Sequence, residues 1–159
     1  MQGRQPDEGG SGDPGRIVQW SWATTAVFTA VAVPVAAGAS ALEAVAIAVS
    51  LTFFLASLVV WGYAFWVAVV RNARGDDITV PSLFFLSGSA PSSVRRHLFG
   101  SLTVAVVVAI LTVKANPFSA LVPMLALGLA GLWAARHGTF PARPVVTSSQ
   151  RRSHGRPGQ

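Results

Sequence analysis

The sequence predicts an all-α integral membrane protein: four transmembrane helices in two antiparallel hairpins, set between disordered tails. Three observations carry this. Apolar residues make up 52% of the 159 residues and charged residues 11%, whereas soluble domains carry about 25% charged residues. The charges avoid long stretches, since Glu43 alone interrupts residues 17–70 and Lys114 alone interrupts residues 98–135. Those stretches divide into runs near the ~20 residues that a helix needs to cross hydrocarbon.

Residues 1–15 are rich in Gly, Pro, Asp, Glu and Gln without apolar periodicity. They cannot bury enough to offset chain entropy and are expected to be disordered. The membrane domain covers 16–140. Its first helix is expected at about 17–39 and its second at about 42–70, joined by a tight link at 38–41. The second run is longer than the bilayer requires, so it must tilt or protrude. The third helix is expected at 94–115 and the fourth at 118–136, joined by a tight link at 114–117. Short links make sequential helices antiparallel neighbours. Helix is the only state open to these runs, because a lone strand in lipid leaves its backbone unpaired. The β-branched residues 104–110 lack the alternation of a barrel strand.

The connection 71–93 is long. Within it, residues 80–86 are apolar but too short to span. They either lie on the membrane interface or form a loop folded over the bundle. The last segment, 141–159, is Pro- and Arg-rich and is expected to be a second disordered tail.

Orientation follows the basic residues. Eleven of the twelve are Arg, in the amino tail (Arg4, Arg16), the central loop (Arg71, Arg74, Arg95, Arg96) and the carboxyl end (Arg136, Arg143, Arg151, Arg152, Arg156). The two tight links hold only Lys114. Both termini are therefore expected in the cytoplasm. Trp20, Trp22, Tyr63, Trp66 and Trp133 stand at the proposed inner ends, where amphipathic rings favour the headgroup level. Trp61 is deeper and reads as a packing residue. A cleaved signal peptide is the competing reading, on Arg16, the first run and Ala39-Ser40-Ala41. The run exceeds the usual apolar core of about 7–15 residues, and its Trp pair suits an anchor.

The net charge of +6 sits beside apolar runs, which points to anionic headgroups rather than nucleic acid. Arg71, Arg74, Arg95, Arg96 and Arg136 are the candidate anionic-lipid contacts; the bland alternative is a plain topology signal. Glu43 and Lys114 are a candidate outer-side ion pair, or each is simply solvated. Asp76 and Asp77 beside Gly75 read as a solvated turn. Cys is absent, which excludes disulfides and thiolate ligands. His97, His137 and His154 are too widely spaced for a metal motif, so no metal and no cofactor is expected. Neither a Gly-x-Ser-x-Gly elbow nor a Walker loop occurs, and no catalytic residue is assigned.

Small residues recur at helical spacing: Ala44, Ala48, Thr52 and Ala56; Ser101, Ala105 and Ala109; Ala126, Ala130 and Ala134. Such stripes allow close helix contact, inside the bundle or between copies. Gly128 and Gly131 add a groove, while Pro34 and Pro123 can kink their helices. The hydroxyls Thr24, Thr25, Thr29, Ser50, Thr52, Ser57, Thr103 and Thr112 are the intramembrane polar groups, and most are expected to bond their own helix.

Residues 131–141, Gly-Leu-Trp-Ala-Ala-Arg-His-Gly-Thr-Phe-Pro, with the apolar run before them, resemble small multi-pass membrane proteins of actinobacterial type. The resemblance covers about the last third of the chain and implies an inner-membrane location without an activity. Small multidrug-resistance exporters are not resembled, since these need a membrane-embedded Glu in helix one. The functional expectation is a non-enzymatic accessory or interaction protein, working through lipid, a membrane partner or its own copies. The alternative is an oligomeric small transporter or channel component.

Overall fold

A computed structural model describes residues 13–142. Most of the two expected tails, with Arg4, Arg143, Arg151, Arg152, Arg156 and His154, lies outside the described residues. Within them the chain is helical: α1 (Pro14–Ala36), α2 (Glu43–Ala73), α3 (Val80–Phe84), α4 (Ser92–Thr112) and α5 (Pro123–His137). Tight 3-10 turns, Ser40–Leu42 and Pro117–Leu121, lead into α2 and α5. The β structure among the described residues is one isolated bridge, Asp76 to Ala142. Three stretches are long and apolar enough to cross a membrane: Ser40–Ala73, Ser92–Thr112 and Pro117–His137. α1 has the length, with 23 residues, but Gln19, Ser21, Thr24, Thr25 and Thr29 make it less apolar.

Capping chemistry moves the expected boundaries. Asp13 accepts the Gly15 N–H at 2.9 Å with Pro14 at the first helical position, so α1 starts inside the stretch read as tail. It ends at Ala36, and the chain turns through Gly38 at φ 102°. α2 runs three residues past the expected end and carries Glu43 in its first turn and Arg71 in its last, each suited to the helix dipole. α4 starts after Pro91 and stops at Thr112. Asn116 then accepts the Phe118 N–H at 3.1 Å and opens the second 3-10 turn. Pro123 is the first residue of α5, where a missing N–H is harmless, so it starts this helix rather than kinking it.

The expected hairpins are not the units of packing. The most extensive interfaces join α2 to α5 and α1 to α4, while α1 and α2 touch far less. Both main pairs are parallel. Along α2, Ser50, Trp61 and Arg71 bond to Asn116, Met124 and Ala135 in the same order. Along α1, Ser21 meets Ser101, and further on Phe28 and Ala32 cluster with Val108 and Ala109. α1 runs against α5, because the indole N–H of Trp133 donates to the Pro14 carbonyl at 3.2 Å.

The segment 80–86 packs one face against the bundle, as the loop reading had it, while Val80 and Phe85 stay exposed. Thr79 and Ser82 form a capping box at the start of α3. Leu83, Phe84 and Leu86 are buried. Phe84 stacks on Trp61 with ring centres 4.4 Å apart and covers Gly131, while Trp61 covers Gly128. The glycine groove on α5 is thus filled from within. Trp61 acts as the packing residue its depth suggested, and Trp133, expected at the interface, is buried. Of the small-residue stripes, those on α4 and α5 are buried, whereas Ala44, Ala48 and Thr52 on α2 face outward.

Candidate functional site

The parallel pairing of α2 and α5 brings their basic ends together. Arg71, in the last turn of α2, donates from Nε to Asp76 Oδ2 at 2.7 Å. Its Nη1 donates to the carbonyls of Ala135 at 3.1 Å and Gly138 at 3.0 Å. Its guanidinium carbon lies 4.9 Å from the centre of the Phe140 ring. One side chain therefore satisfies orphan carbonyls at the end of α5 and binds the turn that follows α2. Gly75, at φ 106°, lets that turn reverse. The Asp77 N–H then bonds the Pro141 carbonyl at 2.9 Å. Asp76 is thus a structural partner of Arg71 and not a merely solvated turn residue. Asp77 is exposed, as that reading had it.

Beside this joint lies an open groove of about 670 Å³ between α2 and α5. Tyr63, Trp66, Val67 and Val70 form its apolar wall. Arg71, Arg74, Asp76, Arg136 and His137 form its polar rim. The Arg136 guanidinium carbon stands 5.9 Å from the centre of the Tyr63 ring. Three of the five candidate lipid contacts, Arg71, Arg74 and Arg136, are brought to this groove. Arg95 and Arg96 are not: they are exposed in the first turns of α4, outside its lining.

Glu43 and Lys114 are exposed and do not pair; among the described residues the ion pair joins Arg71 and Asp76. Asn116, two residues after Lys114, sits beside Ser50, which is two turns further along α2 than Glu43.

Of the eight hydroxyls expected inside the membrane, seven donate to carbonyls of their own helix, as expected. The eighth, Ser50, accepts from Asn116 Nδ2 at 3.1 Å. Sequence reasoning passed over Asn116, although a lone amide before Pro117 in a tight link is a turn signal. Ser21 and Ser101 share a hydrogen bond between α1 and α4, and Thr25 reaches the Ser101 carbonyl at 3.4 Å. Ser119 Oγ is buried with no protein partner. Comparison with protein-family models, with curated proteins and with solved structures finds no match.

Proposed function

We propose that the chain crosses the cytoplasmic membrane four times, through α1, α2, α4 and α5, with both termini inside. The observation that supports this is the gathering of the start of α1 and the ends of α2 and α5 at one end of the bundle, joined by Trp133 and Arg71. That end carries Arg16, Arg71, Arg74 and Arg136, and positive charge is retained on the cytoplasmic side. α1 completes the set because its threonines return their hydroxyl protons to its own carbonyls, which lowers the cost of placing them in lipid. The chain has no Cys, so single cysteines report without background. Cysteines placed at Ser40 and Ala115 are expected to react with an impermeant maleimide in intact cells, and those at Gly75 and Ser92 only after permeabilisation. The opposite pattern would overturn the layout.

Within that layout the chain acts as a non-enzymatic accessory protein through lateral contacts of α2. This helix is the longest, yet only 17% of its most apolar 18-residue stretch is buried, against 61% for the stretch ending in α5. Ala44, Ala48 and Thr52 of its small-residue stripe face outward, with Ala56 turned to the core, which favours close approach of another helix at the first three. Ala48→Leu is expected to release a partner or second copy that crosslinks through α2, while leaving the melting temperature unchanged. Ion flux through the purified protein in liposomes, absent from lipid-only controls, would instead establish the transporter or channel reading.

A further inference from the structure

We propose that the groove between the inner ends of α2 and α5 is a binding site for one anionic phospholipid, with Arg74 and Arg136 as its phosphate ligands. This rests on the membrane-spanning reading above. The three guanidinium groups at the rim have different roles. Arg71 is committed to Asp76 and to two carbonyls of the α5 end. Arg74 and Arg136 are exposed at the rim, Arg136 lying over Tyr63. With Asp76 offsetting Arg71, the rim keeps two uncompensated positive charges, which complement a phosphodiester.

Depth supports a lipid rather than a soluble anion. The stretch Pro117–His137 is 21 residues long, enough to bring Arg136 to the headgroup level, since about 20 helical residues cross the hydrocarbon. Arg71 is level with Ala135 and Gly138. Trp66 and Tyr63 precede Arg71 by five and eight residues, so they lie about 7 and 12 Å deeper along α2. A phosphate held at this rim would lay its acyl chain along Trp66, Val67 and Val70, since the Tyr63 ring lies beneath the Arg136 guanidinium. The Trp66 ring is 67% exposed, so the groove offers aromatic wall where the chain would lie. Arg95 and Arg96 have the same charge but lie outside this groove's lining.

The test is native mass spectrometry of the full chain in detergent, titrated with phosphatidylglycerol and, separately, with phosphatidylcholine. Wild type is expected to prefer phosphatidylglycerol by about thirtyfold, the scale of two headgroup-level arginines. Arg74→Gln with Arg136→Gln is expected to bring that preference below about twofold, while Arg95→Gln with Arg96→Gln leaves it near wild type. The conservative pair Arg74→Lys and Arg136→Lys should retain part of it, which separates lost charge from lost fold. Equal loss in both Gln pairs would mean diffuse attraction, and no loss in the first pair would mean no site; either overturns the proposal. Full displacement by glycerol phosphate at equal concentration would assign the groove to a soluble anion and overturn it too. Because binding is read in micelles, an inverted maleimide pattern with lipid preference intact would sink the layout alone. A correct pattern without preference would sink the groove alone.

Discussion

Arg71 ties the end of α2, the turn after it and the end of α5 with one planar group. Lys keeps the charge but presents a point donor, which cannot hold a carboxylate and two carbonyls together. Arg71→Lys is expected to cost about 1–2 kcal/mol and Arg71→Ala about 2–3 kcal/mol, read as lower unfolding temperatures in detergent. The low end suits a side chain that is 26% exposed. Unchanged melting in both variants would remove Arg71 from this role. Gly131 gives a second residue-scale prediction. A Cβ there would stand 2.5 Å from Phe84 Cε1, and Phe84 is itself clamped against Trp61 and Phe65. Gly131→Ala should cost about 1–3 kcal/mol by overpacking, and Phe84→Leu in the same chain should recover part of it. A double-mutant cycle with no coupling would contradict the contact. The place of Arg71 in the charge pattern was legible in the sequence. Its bond to the Ala135 carbonyl was not, because it depends on the register of two helices 64 residues apart.

At the scale of elements, α3 is the part that local pattern could not assign. A short apolar stretch satisfies either an interface or a core, and residues 80–86 contain nothing that chooses between them. The choice is made by Gly131, whose missing side chain leaves room for the Phe84 ring. Leu86 shows the same pull, since it is fully buried at φ 54°, a backbone state unusual for Leu. Phe84→Ala is expected to remove about 3–5 kcal/mol of packing. The loss should appear first as faster proteolysis between residues 76 and 91, before the long helices melt. Cleavage that appears only on global unfolding would show that α3 is not a separate latch. The long helices were legible from hydropathy to within a few residues. Their ends were not, because Asp13, Asn116 and Pro123 stop or start them through side-chain and ring chemistry that a hydropathy window averages away.

For the whole molecule, helical class and the basic character of one end were legible, and partner choice was not. Short links say which helices are near in sequence. Between largely apolar helices, however, the tightest pairing goes to surfaces that interlock. Here Trp61 into Gly128 and Ser21 against Ser101 decide the pairs. Fragments 1–75 and 76–159 expressed separately should each be degraded, and together they should restore a protein with the wild-type melting temperature. A stable lone fragment would argue against the α1–α4 and α2–α5 pairing. That interleaving bears on biosynthesis. When α2 leaves the ribosome, neither it nor α1 has met its main counterpart, and α1 waits longest, since Ser21 and Ser101 stand 80 residues apart against 63 for Trp61 and Met124. The nascent protein must therefore sit half-assembled through most of its synthesis, its glycine-seeking tryptophan still unmatched. In the proposed membrane layout, an insertase that shelters early spans until the last one arrives would govern its yield more than any change in the mature fold.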